Sequence, residues 1–329
     1  MVKIPGIESN RWAPNFSWDR LLSLWHNSGI GGLIIPVSLN DQLSGLFDQV
    51  QTLIGKIRDR EMESWLIFPV LNNSVFYFRH PESHPVHRTG EDFSFPGWFA
   101  PICPTDDQYR SFLGDVIARS LVNLPAHAVI LDYARTPYFW EEWGNVIDPH
   151  QWPPFCYCER CRLKFEADTN INFGAAKPAD WRKWQGEIIS GWLAEISGQI
   201  QKLFKKTQVG VQLLPLVSDD GNEMCSEWLG QDVHLLQKNA HFFSPLIYEK
   251  LLDWHHDDSI AYLVELLKRQ KLPVIPSFQV SSIKWDRRKE SGDSLPALIE
   301  RIQPLGIHSA TLFHARSLLN EKSIRSILG

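Results

Sequence analysis

A (β/α)8 barrel of the TIM type is the α/β fold class that this sequence predicts, and three observations predict it. Short β-branched runs alternate with longer helical patterns along all 329 residues. Several runs, from 31–36 to 127–132 and again at 209–214, are rich in Ile, Leu and Val without alternation, as parallel strands covered on both faces are. No G-x-G-x-x-G or G-x-x-x-x-G-K-[ST] follows any run, so an open doubly wound nucleotide-binding sheet has no support. Repeated strand-then-helix units then leave the barrel, expected as a single domain over 1–329.

The strands are expected at 2–8, 31–36, 64–70, 127–132, 209–214, 240–247, 272–278 and 307–313. Helical patterns fall near 17–27, 41–59, 106–122, 158–168 with 179–206, 227–238, 256–270, 293–303 and 316–327. Thr105-Asp-Asp-Gln108 has capping-box spacing, and Tyr109, Phe112, Leu113, Val116 and Ile117 follow it as one apolar face. Trp181, Trp184, Ile188, Trp192, Ile196, Ile200 and Leu203 form another face at steps of three and four. Two connections exceed what barrel closure needs: 71–105 after strand three and 133–180 after strand four. Loops of that length in a compact domain are usually functional, and barrel active sites lie at the C-terminal strand ends.

Composition narrows the partners. With 43% hydrophobic and 22% charged residues the chain can bury a large core. A net charge of −5 without a Lys/Arg block gives no basic footprint for nucleic acid. The start, Met1-Val-Lys-Ile-Pro-Gly, lacks the apolar core of a signal peptide, and the run 30–37 is too short to cross a bilayer. Five cysteines, an odd number with tight spacing, suit reduced thiols or a metal better than disulfides, so a cytoplasmic location without membrane contact is expected.

Cys103 ends the first insertion, and Cys156, Cys158 and Cys161 form C-x-C-x-x-C in the second. Thiolates at such spacing converge on a tetrahedral zinc, and four of them leave no open position, so the zinc would be structural. Packing as small buried hydrophobes is the alternative. Cys225 stands apart.

Asp132 closes the fourth strand, where a carboxylate reads as catalytic. Arg135 brings a positive charge beside it, which suits a nucleophile or an electrostatic stabiliser; a structural ion pair is the plain alternative. Glycoside hydrolysis needs a second carboxylate. Glu249 past strand six is the first choice; Asp219 and Asp220 past strand five come next, then Glu141, Glu142 and Glu8. Aromatic residues crowd the same insertions: Phe95, Trp98 and Phe99, then Tyr138, Phe139, Trp140, Trp143 and Trp152. Flat rings stack on sugar faces, though they also build loop cores. Gln212, Gln279 and His314 end strands five, seven and eight as hydrogen-bonders for a substrate, with Tyr133 and Tyr248 beside the carboxylates. His80, His84 and His87 form H-x3-H-x2-H, a possible second metal site.

These residues resemble a family. Trp98, Cys103-Pro…Tyr109-Arg110, Val129-Ile-Leu-Asp132-Tyr-Ala-Arg135, the C-Y-C-E-R-C run and Phe165 look like glycosidases of TIM-barrel type. The cysteine arrangement is similar to the zinc site of family 42 β-galactosidases, and Ser244-Pro245…Tyr248 matches a family-like S-P-x-x-Y. The likeness is dense over 98–165. It implies the barrel, zinc at the four cysteines and carbohydrate chemistry. The catalytic assignment of family 42, an Asn-Glu pair after strand four and a Glu after strand seven, does not carry over: Asp132-Tyr133 and Gln279 stand there. An acid after strand six with Asp132 is instead similar to retaining α-galactosidase-like barrels. The expectation is a glycoside hydrolase on an oligosaccharide or glycoside. A degenerate carbohydrate-binding barrel and a histidine-metal hydrolase are the alternatives.

Overall fold

The computed structural model describes residues 1–3, 17–37, 46–91, 95–221, 223–288 and 294–328. Among them a closed, all-parallel barrel of eight strands is formed by β1 (Val2–Lys3), β2 (Gly32–Pro36), β3 (Glu63–Pro69), β4 (Ala128–Asp132), β6 (Gln208–Leu213), β8 (Phe242–Ile247), β9 (Ser277–Gln279) and β10 (Thr311–Phe313). They lie in chain order around the ring, β1 closing on β10 with Val2 opposite Leu312. Two further strands, β5 (Val146–Ile147) and β7 (Val217–Ser218), make a small parallel sheet of their own. The sequence shows no sign of it, because two-residue strands carry no periodicity.

Strand alternation sorts the side chains into two cores. Ile34, Trp65, Ile67, Ala128, Ile130 and Phe242 fill the barrel interior. The opposite faces, with Leu33, Ile35, Leu66, Phe68, Val129, Leu131, Val209 and Val211, pack outward against the helices. Both faces are apolar, which is why these runs read as continuous. Gly210 is required by its neighbour: a Cβ there would sit 2.2 Å from the Phe242 ring. Asp132 has the same parity as Ala128 and Ile130, so it tops an inward row. In β6, Gln212 tops the row above Gly210, and the register Leu131 to Val211 sets the two polar residues side by side.

The helical patterns appear close to their expected places, as Trp18–Asn27, Leu46–Arg58, Asp107–Asn123, Glu159–Thr169, Pro178–Leu203, His256–Arg269, Leu295–Ile302 and Glu321–Leu328. The pattern at 227–238 splits into a 3-10 turn, Ser226–Leu229, and a short helix, Val233–Leu236, at the left-handed Gly230. The first strand is Val2–Lys3; the rest of its expected span lies outside the described residues. The seventh is only Ser277–Gln279, since Pro273 and Pro276 lack the N–H that a ladder needs. The capping box shifts by one residue. Asp106 caps the helix, accepting from the Tyr109 N–H at 2.8 Å, while the Thr105 hydroxyl turns to the cysteines. No helix among the described residues is long and apolar enough to cross a membrane.

Candidate active site

Asp132 sits at the barrel mouth with donors around it. The Tyr133 N–H donates to Oδ1 at 2.8 Å. The Gln212 amide nitrogen, in the orientation its surroundings require, donates to both carboxylate oxygens at 2.9 and 3.0 Å. Gln231 fixes that amide's strand by donating to the Gln212 carbonyl at 2.8 Å and accepting from the Leu214 N–H. The Lys3 ammonium stands 3.8 Å from Oδ2, and both side chains remain about one-fifth exposed, at 19% and 18%. A carboxylate so placed is oriented, partly open to solvent and faced by positive charge.

The chain turns sharply after it. Tyr133 adopts φ +53°, a left-handed conformation that a bulky side chain rarely takes. The turn lets the Leu71 N–H donate to the Tyr133 carbonyl and sends the next residues across the mouth. Arg135 is buried; its Nη1 donates to the Tyr138 carbonyl at 2.8 Å, and its guanidinium lies 5.1 Å from the Tyr133 ring centre. The short helix Trp140–Trp143 carries Glu141, whose carboxyl is pushed up to about 7. Burial is the main cause; its own backbone hydrogen bond and Arg135 pull the other way, and the charge of Asp132 pushes further up. Two carboxylates within electrostatic reach, one of them inclined to keep a proton near neutrality, are the components of acid–base chemistry.

Aromatic rings close the mouth around the pair. Trp140 meets Tyr248 at 5.8 Å, Tyr248 stacks on Phe313 at 5.1 Å, and the Lys3 ammonium lies 5.4 Å from the Phe313 ring. On the other side Phe99 meets Tyr133 at 5.7 Å and Trp98 meets Phe139 at 5.5 Å. Trp98 is 43% exposed, a large apolar surface facing solvent. Trp143 stacks over Phe155, and Trp152 packs with Tyr157, Phe173 and Trp181, so these two serve the loop's own core.

The other expected residues lie in different surroundings. Glu249 opens the helix Glu249–Leu252, and its carboxylate accepts from Ser259 at 2.6 Å and meets His256 Nδ1 at 3.0 and 3.1 Å. With Gln279 and Arg288 it lines a cavity of about 450 Å3 beside the outer helices. Asp219 and Asp220 are exposed on the turn after β7, set apart from the β6 end by the small sheet. Gln279 donates to Asp286 at 2.6 Å, and His314 Nδ1 lies 3.4 Å from the Ser281 hydroxyl. Glu8 lies outside the described residues. The burial that pushes the Glu141 carboxyl up is not visible in the sequence.

The four cysteines do converge. Their sulfurs lie within 4.8 Å of one another, with Cys103 at 3.6 Å from Cys158 and 3.5 Å from Cys161. The edge of a zinc tetrathiolate is about 3.8 Å, from a Zn–S bond of about 2.3 Å. The Val86 N–H donates to Cys156 at 3.3 Å and the Cys161 N–H to Cys158 at 3.4 Å, bonds that favour thiolates. Arg160, paired with Asp106 at 3.1 Å, places a cation beside them. The donor set fits and could hold a metal ion. Cys225, buried and distant from the set, has its thiol pushed up to about 12 by burial. The histidines do not converge: His80 pairs with Glu82, His84 stacks on Tyr77, and His87 bonds Thr89. Among the described residues the cysteines are the one cluster of three or more metal-ligating groups.

No protein-family model matches the chain, and no curated protein does. Solved structures match. The glycoside hydrolase domain of PgaB (BpsB) from Bordetella bronchiseptica is similar at a TM-score of 0.69 and 9% identity, over 96% of this chain and 94% of that one. A β-galactosidase from the psychrophilic Marinomonas ef1 is similar at 0.71 and 10%, over 96% of this chain and 54% of its own. Gan42B, a GH42 β-galactosidase from G. stearothermophilus, is similar at 0.64 and 12%, over 95% and 51%. The chain spans about half the length of these two β-galactosidases. At such identities the likeness shows a shared barrel fold.

Proposed function

We propose that the chain is a glycoside hydrolase whose working carboxylates are Asp132 and Glu141. The observation that carries this is the donor-ringed Asp132 at a strand end with Glu141 within its electrostatic reach, under aromatic loops. In such chemistry one carboxyl protonates the departing glycosidic oxygen while the other attacks the anomeric carbon or directs a water to it. Glu141 takes the first role, since a carboxyl protonated near pH 7 can donate. Asp132 takes the second, with Gln212 and Lys3 fixing its orientation. Trp98, 43% exposed, offers a ring surface for a sugar; Trp140 and Tyr248 are buried and back the site from beneath, and Arg135 tunes Glu141. Glu249, engaged by His256 and Ser259, is assigned to anchoring the strand-six loop. The metal at Cys103, Cys156, Cys158 and Cys161 is proposed to be zinc, holding both insertions in place without touching substrate.

The test is turnover of aryl glycosides of graded leaving-group acidity. Asp132→Asn is expected to lose about 10³-fold on every substrate, with its circular dichroism unchanged. Glu141→Gln should lose a similar factor on poor leaving groups, yet retain most activity on activated ones, which need no proton. Unchanged turnover in Asp132→Asn removes that residue from the chemistry. Sugar binding by calorimetry, with no hydrolysis across the panel, points to a carbohydrate-binding barrel instead.

A further inference from the structure

The loop after β9 crosses the barrel mouth. In the ring of eight strands β9 lies opposite β3, four places away. Yet Trp285, from the loop that follows β9, packs against Trp98, from the segment after β3, at 5.8 Å, and against Phe139, from the segment after β4, at 5.9 Å. Its described part, 280–288, is held at several points. The Val280 N–H donates to the Phe313 carbonyl at 2.7 Å, and the Arg287 and Arg288 N–H groups donate to the Lys250 carbonyl at 2.9 and 3.1 Å. Asp286 accepts from Gln279 at 2.6 Å and from the Ile283 N–H at 3.0 Å. Farther along, the Arg287 guanidinium lies against Gly144, at 3.1 Å from where a Cβ would stand. The bridge is therefore a built contact between opposite rims.

Its consequence concerns the length of chain the site can take. An internal segment of a polysaccharide must enter and leave past the reacting carboxylates. The Trp98–Trp285–Phe139 contact stands over β3, β4 and β9, and the Tyr248–Phe313 stack covers the ends of β8 and β10. These rings would form the wall that a sugar held at Asp132 meets.

We propose that Trp285 determines specificity by ending the site, so that the enzyme removes units from a glycan terminus instead of cutting within the chain. The proposal rests on the hydrolase reading above. With Trp285 removed, the wall loses the indole that reaches Trp98 and Phe139 from the opposite rim, and a longer chain can pass.

The experiment compares wild type and Trp285→Ala on a panel of hexasaccharides carrying a fluorophore at the reducing end, read as time-resolved product ladders. Wild type should shorten the labelled chain one step at a time. Trp285→Ala should release internal fragments from the first time point, at least 10-fold above the wild-type level, with thermal midpoint and metal content retained. Trp285→Phe should keep the stepwise ladder, because a ring still fills the gap. Mid-chain cutting by wild type overturns the proposal and leaves the hydrolase reading standing, as does an unchanged ladder in a folded Trp285→Ala. Inertness of both proteins towards every probe overturns the hydrolase reading, and this inference falls with it.

Discussion

At Glu141 burial outweighs the favourable pull of Arg135, and the carboxyl rises from 4.5 to about 7. The sign for stability follows directly. Between those values the native state holds a proton that the unfolded chain has released, so stability falls as pH rises through this window. Glu141→Gln has no such proton. Its stability relative to wild type should therefore improve between pH 5 and pH 8, by on the order of 2 kcal/mol after allowance for partial exposure. Urea denaturation at the two pH values measures it; an equal difference at both would place the acidity of Glu141 elsewhere. Under the proposed role the activity of wild type should also decline above about pH 7, as the acid loses its proton.

At the scale of elements, the two insertions are bound to each other and to one long helix. The Tyr157 N–H donates to the Val86 carbonyl at 2.9 Å, and Arg88 to that of Pro154 at 3.0 Å. From Pro178–Leu203, Trp192 donates to the Pro104 carbonyl and Gln185 to that of Phe155, at 2.7 and 2.6 Å. The cysteines sit where these contacts meet, so a metal held there would fix the loops that carry Trp98, Phe139 and Glu141. Cys158→Ser should lose the metal, as read by elemental analysis, and open segments 71–105 and 133–180 to protease while the barrel keeps its circular dichroism. His84→Ala should leave metal content unchanged, since its ring serves Tyr77. Loss of metal in that variant instead would revive a histidine site.

For the whole molecule, the interior of the barrel decides how the strands close. Phe242 fills the centre, tilted against Trp65 at 5.2 Å, and Gly210 leaves the space for it. Gly210→Ala forces that ring off its seat in a close-packed core, at a cost of about 2–3 kcal/mol. The midpoint of chemical denaturation should fall accordingly; an unchanged midpoint would mean that the interior can repack around a methyl group. The same closure seats Lys3 of β1 beside Asp132 of β4, two strands that share no hydrogen bonds. The surroundings of Asp132 are thus a product of the ring itself.

The barrel was legible in the chain because parallel strands buried on both faces must be continuously apolar, and because the helices between them keep a period of three and four. Asp132 was legible as the polar residue that ends such a run, and the four cysteines by their spacing. Partners were not legible. Gln212 as the clamp on Asp132, Trp285 as a neighbour of Trp98, and Thr105 turned to the cysteines in place of a cap all depend on groups far apart in sequence. Glu141 and Glu249 look alike in a string of letters. Tertiary structure separates them, because one is desolvated near another carboxylate and the other is held by His256 and Ser259. Local periodicity sets which strands and helices form; the environment of a charge is set only when the ring closes around it.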